Sequence, residues 1–182
     1  MKKILCIGES NTYGYDPRSY FGSRYPKEKR WTGILEQEGC KIMNEGVNGL
    51  CIPDSFQDNT DTGLIIVMLG TNDLLQGKTA KMTAEKMKHY LQTMLEKTHS
   101  ASILLICPPH MKYGEWVQTD LLIKESSLLS EEYKKIANEL QIFFCDAENW
   151  NIELVFDGVH FSEKGHAAFV KGLCSFLSSL SE

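Results

Sequence analysis

Two apolar runs, "LIIVML" (residues 64–69) and "ILLIC" (residues 103–107), carry no polar residue at alternate positions. A strand with one wet face alternates apolar and polar residues, so a run without alternation is a strand buried on both faces, as in a parallel sheet covered by helices. Three further short runs, Lys3 to Ile7, Cys40 to Asn44 and, more weakly, Ile142 to Cys145, bring the expected strands to five. Helical patterns lie between them. Pro26 is expected to open a helix that carries Trp31, Ile34 and Leu35 on one face and stops at Gly39. Thr79 to Lys97 places Met87, Tyr90, Leu91, Met94 and Leu95 at helical spacing, and a third helix fits about Thr119 to Leu140. Ser162 caps a last one with the stripe Phe169, Leu173, Phe176, Leu177 and Leu180. Strands alternating with helices predict a flavodoxin-like, three-layer α/β/α sandwich on a five-stranded parallel sheet.

The chain has 182 residues, 42% of them hydrophobic. That suits one core and so one domain over residues 1–182. A net charge of −5 without a run of lysine and arginine argues against a nucleic-acid partner. No apolar stretch reaches transmembrane length, and the five apolar residues after Lys2 and Lys3 are too few for a signal peptide, so a cytoplasmic location with no membrane span is expected. The six cysteines include no CxxC and read as buried thiols, not as disulfides or a zinc site.

Doubly wound sheets bind ligands beyond the carboxyl ends of their strands, where the strand order reverses. Ser10 lies at such an end, in "GESNTYG" (residues 8–14). Taken alone, it reads equally as a turn or helix cap, or as part of a phosphate-binding loop. "MLGTNDLL" (residues 68–75) closes the third strand; Asn72 can point its amide over the strand ends, although Gly-Thr-Asn-Asp is also ordinary turn composition, with Asp73 bonding its own loop. In "FDGVHFSEKGH" (residues 156–166) Asp157 and His160 are three apart, so the carboxylate can accept the imidazole Nδ1–H and leave Nε2 as a base. A surface turn and a metal site that includes His166 are the other readings; for the metal, no compact cluster supplies further ligands. The GxSxG elbow of α/β-hydrolases does not fit, because position 12 is threonine.

In combination the motifs resemble the SGNH hydrolases, the GDSL esterase/lipase family. "GESNTYG" is similar to the family's first block, "NEGVNG" (residues 44–49) to its second, "LGTND" (residues 69–73) to its third and "DGVH" (residues 157–160) to its last, in the family's order. "GESNTYGYDP…RWTGILEQ" followed by "NEG" resembles the bacterial arylesterase and acyltransferase branch. Glu9 departs from the pattern, which usually has aspartate there. The resemblance implies Ser10 as nucleophile, His160 as general base and Asp157 as the group that orients it. It implies an oxyanion hole made of the Ser10 N–H, the Gly49 N–H and the Asn72 side chain, with Gly46 lying close to Gly49. Such chemistry needs no cofactor and no metal.

Two aromatic loops are expected to wall the site. Residues 13–30 include Tyr13, Tyr15, Tyr20, Phe21 and Tyr25; residues 108–118 include His110, Met111, Tyr113 and Trp116. Tyr13, Tyr15, His110 and Trp116 are the expected substrate contacts, while packing among themselves or at a homo-oligomer interface is the alternative. With no long lid and little spare length, the expectation is a serine esterase acting on small-molecule esters of short, acetyl-like acyl groups. Lysophospholipase, thioesterase and carbohydrate deacetylase activities are alternatives of the same chemistry. A flavodoxin-like phosphate-binding module is the alternative from another class.

Overall fold

A computed structural model describes residues 3–19, 21, 23–57, 62–98 and 100–180. Its strands are β1 (Lys3–Gly8), β2 (Lys41–Gly46), β3 (Leu64–Met68), β4 (Ser102–Cys107) and β5 (Phe143–Asp146). They form one sheet in the order β2-β1-β3-β4-β5, and all four pairings are parallel. The helices are α1 (Ser10–Tyr13), α2 (Trp31–Gln37), α3 (Thr71–Leu75), α4 (Ala80–Lys97), α5 (Asp120–Leu140) and α6 (Glu163–Ser179).

Alternate residues of the central strands enter two cores. Leu5, Ile7, Ile65, Val67, Ile103 and Leu105 pack under α4 and α5, whereas Ile4, Cys6, Ile66, Met68, Leu104 and Ile106 pack under α2 and α6. Both faces are therefore apolar, which is why these runs show no alternation. The second core centres on Phe169, with Trp31 at 4.8 Å, Trp150 at 5.0 Å and Phe161 at 5.6 Å between ring centroids.

The expected cap at Ser162 is present, and Thr79 and Thr119, the expected starts of the other two long helices, also act as caps; each side chain accepts a backbone N–H from the first turn. The helix expected from Pro26 is split. A 3-10 turn occupies Lys27–Lys29, Arg30 is extended, and α2 starts only at Trp31. The Trp31 N–H goes to His166 Nδ1 at 3.4 Å instead of continuing a helix from Pro26. Strand β2 also outruns its apolar stretch, because pairing with β1 continues to Gly8 beside Gly46.

After β1 the chain adds β2 on one side and then crosses to place β3 on the other. The reversal falls between β1 and β3. Ser10 follows β1 and Asn72 follows β3, so the two residues flank it.

Candidate active site

Helix α1 begins at Ser10 and folds straight back onto the strand that delivers it. Gly8 permits this: a Cβ there would stand 2.0 Å from Thr12 Oγ1 and 2.9 Å from the Met68 carbonyl oxygen. Ser10 is 4% exposed. Its neighbour Asn11, also buried, donates Nδ2–H to the Val159 carbonyl at 3.1 Å and accepts the Phe161 N–H on Oδ1 at 2.8 Å. One amide thus grips the backbone on both sides of His160. This residue was not singled out in the sequence. The available signal was a second polar residue inside a turn that had to be buried, where amides must find partners.

Asp157 and His160 are both 1% exposed. Asp157 Oδ1 accepts the backbone N–H of Val159 at 2.9 Å and of His160 at 3.0 Å, while Oδ2 lies 2.7 Å from His160 Nδ1. Burial pushes the Asp157 carboxyl up, but the His160 ring bond and the two N–H bonds outweigh it and hold the carboxyl below its ordinary range. An ionised Asp157 fixes the tautomer with the proton on Nδ1, so Nε2 is the atom able to take a proton.

The ring of His160 makes T-shaped contacts with two aromatic rings, Tyr15 at 4.8 Å and Trp116 at 4.9 Å between centroids. Of the four expected substrate contacts these two meet at His160. Tyr13 instead lies under the Arg24 guanidinium at 4.3 Å, and the His110 backbone N–H bonds Glu148 at 2.8 Å. Phe21 and Tyr113 are exposed, Tyr25 and Met111 are buried, and Tyr20 lies outside the described residues. The Trp116 loop is laced to the Asp157 loop by Lys112 N–H to Gly158 O, Glu115 N–H to Phe156 O and Trp116 N–H to Asp157 O, at 3.0 to 3.2 Å. Gly158, at φ +83°, makes this fit, since a Cβ would stand 2.0 Å from the Lys112 carbonyl oxygen.

On the other side of the switch point, the Asn72 Nδ2 group donates to Glu9 Oε2 at 3.0 Å and to the Leu50 carbonyl at 3.1 Å. Asp73 is expected to bond its own loop backbone; among the described residues its buried carboxylate instead takes the Ile52 N–H at 2.9 Å and the Lys78 ammonium at 3.0 Å. The two neighbouring glycines of "NEGVNG" differ. The Gly46 N–H is taken by Asn44 Oδ1 at 2.8 Å, whereas the exposed Gly49 N–H has no partner among the described residues.

His166 stands apart from this group. It is fully buried, edge-on to Tyr25 at 5.4 Å and Phe161 at 5.3 Å. Burial, then the charges of Arg30 and His160, push its pKa down to about 3, so the ring is neutral. Among the described residues no three His, Cys, Asp or Glu side chains gather as a metal site. No helix among them is long and apolar enough to cross a membrane.

A search of curated proteins gave no match. Among solved structures, a "putative arylesterase" from Agrobacterium tumefaciens str. C58 is 28% identical, with a TM-score of 0.81 over 98% of this chain and 99% of that one. The native aryl esterase of M. smegmatis is 24% identical, with a TM-score of 0.82 over 99% and 100% of the two chains. Est24, a carbohydrate acetylesterase from Sinorhizobium meliloti, is 23% identical, with a TM-score of 0.79 over 99% and 100%. The profile of the GDSL-like Lipase/Acylhydrolase family matches residues 6–168. With a doubly wound sheet that carries the family's motifs at its switch point, this chain belongs to the GDSL-like lipase/acylhydrolase family of ester-hydrolysing enzymes.

Proposed function

We propose that residues 1–182 act as one catalytic domain, a serine esterase that hydrolyses small esters of short, acetyl-like acyl groups through an acyl-enzyme. The observation that carries this reading is the buried Asp157–His160 pair, whose loop is tied to the Ser10 turn by Asn11, the residue after Ser10. A serine hydroxyl is a poor nucleophile at neutral pH and needs such a base. In this scheme His160 Nε2 takes the proton as Ser10 Oγ attacks the carbonyl, then gives it to the leaving alcohol. Water repeats the sequence on the acyl-enzyme, with His160 again as base and Asp157 holding the imidazolium.

The oxyanion that forms would be met by the Ser10 and Gly49 N–H groups and by Asn72 Nδ2, neutral donors that bring no charge of their own. The Ser10 hydroxyl makes no bond to His160 in this structure; such catalytic contacts often tighten only with substrate bound. The rings of Tyr15 and Trp116, both in contact with His160, support a short acyl group.

A fluorophosphonate should add one equivalent of mass at Ser10, and labelling that survives in Ser10→Ala overturns the assignment. On aryl esters, kcat/KM should fall from acetate or butyrate to octanoate. A steady rise with chain length would instead favour a lysophospholipase.

A further inference from the structure

Both Nδ2 hydrogens of Asn72 are already taken, one by Glu9 and one by the Leu50 carbonyl. A reacting carbonyl oxygen must therefore share one of them. The Leu50 carbonyl is a fixed, neutral acceptor, whereas Glu9 can change its charge. Glu9 immediately precedes Ser10 and is 1% exposed. Its Oε2 accepts the Asn72 backbone N–H at 3.2 Å as well as Nδ2–H at 3.0 Å. Two bonds from one oxygen to one residue fix the plane of that amide, and an ionised acceptor holds a hydrogen about twice as strongly as a neutral one.

We propose that Glu9 is a positioning residue for the oxyanion hole: it orients the Asn72 amide, and its charge governs how much of Nδ2–H remains for the reacting oxygen. The proposal rests on the esterase reading of Ser10 and Asn72 given above. The titratable groups that act on or feel Glu9 are Asp73, Cys51 and Tyr133, with Lys78 behind Asp73. Lys78, the one cation of this set, is bonded to Asp73, and the Tyr133 hydroxyl donates to the Leu69 carbonyl at 2.9 Å.

Burial pushes Glu9 up to about 7; bonds from Thr71 and the Asn72 N–H pull the other way, and the Asp73 charge adds to the rise. Near neutrality Glu9 therefore passes between two states. As a neutral acid it holds Nδ2–H weakly. As a carboxylate it holds Nδ2–H strongly, so that less of it remains for the oxygen that becomes negative in the transition state.

The test is kcat against pH from 5 to 9 with a saturating aryl acetate. The wild type should rise from pH 5, as a general base requires, and then fall above about pH 7, by roughly tenfold at pH 8.5, with little change in KM. Glu9→Gln keeps an acceptor for both Asn72 N–H groups but cannot ionise, so its profile should rise to a plateau. Asn72→Ala should also lose the falling limb, and adding Glu9→Gln to it should change nothing further. A wild type without a falling limb, or a limb that persists in either single variant, overturns the proposal. If Glu9→Gln does not fold, the wild-type and Asn72→Ala profiles still decide. Fluorophosphonate labelling separates the two failures: no label on Ser10 removes the esterase reading, whereas a labelled Ser10 with no falling limb removes the role of Glu9 alone.

Discussion

Asn11 joins two segments almost 150 residues apart in sequence, and its removal is the sharpest test of how the site is held. Asn11→Ala leaves the Phe161 N–H and the Val159 carbonyl unpaired in a buried place. Each unmet group costs about 1–3 kcal/mol, so the variant should lose roughly 2–6 kcal/mol. For a chain of this length each kcal/mol moves Tm by about 2–4 °C, which gives a drop of roughly 4–24 °C by calorimetry. The kinetic effect should exceed the fraction unfolded, because His160 sits between the two released groups and a misplacement of about 1 Å costs on the order of 100-fold in rate. Asn11→Asp refines the test. It keeps an acceptor for the Phe161 N–H but sets an oxygen against the Val159 carbonyl oxygen, so it should recover stability relative to wild type as acid protonates the new carboxyl and lets it donate. Should Asn11→Ala melt within about 2 °C of wild type and retain its kcat, the amide bridge is not what holds the histidine loop.

Asn72→Ala at the pH optimum should lower kcat roughly 100- to 1000-fold with little change in KM, measured beside Asp73→Ala as a neighbouring control; near-normal kcat with a lowered Tm would reduce Asn72 to a turn residue. His166 binds a proton in the unfolded chain but not in the fold, so its contribution is complete above the unfolded value near 6.5 and is lost as pH falls towards about 3. His166→Gln, which can still accept the Trp31 N–H, should reduce the slope of unfolding free energy in that window by up to about 1.4 kcal/mol per pH unit. Glu9, whose pKa is raised to about 7, favours the fold below its unfolded value, and that preference is lost as pH rises towards 7; the variant is therefore scored as its difference from wild type, and equal slopes in urea melts would refute the buried neutral histidine.

The sheet was legible because its burial writes itself into consecutive residues: "LIIVML" and "ILLIC" can serve no other kind of strand in a chain whose helices are amphipathic. Strand ends were less so, since β2 finishes in Asn44-Glu45-Gly46, where backbone pairing rather than apolar side chains keeps it extended. In the site, Asp157 and His160 were visible because their contact is local, three residues apart. The roles of Asn11 and Glu9 were not, for the opposite reason. Asn11 finds its partners near residue 160 and Glu9 at Asn72, and no spacing within one motif encodes a bond between two motifs. The break at Arg30 was hidden in the same way, because the acceptor that ends the Pro26 turn is a histidine 135 residues further on.

The backbone lacing between residues 112–116 and 156–158 has a consequence for how the family's specificity can diversify in this chain. The segment that carries Trp116, one wall of the mouth, is bonded to the backbone of Asp157 itself, and the fit leaves no room for a Cβ at Gly158. An insertion or exchange there moves the acid that orients His160, so a new pocket shape and a working base cannot be acquired independently on that side. The Tyr15 wall is coupled at its root, where the Tyr15 N–H bonds the Ser10 carbonyl at 3.0 Å, and from there its segment bridges to Arg24. Grafting a substrate preference onto this scaffold should therefore begin from residues 16–24, with Tyr15 and the Trp116 side kept as part of the catalytic frame.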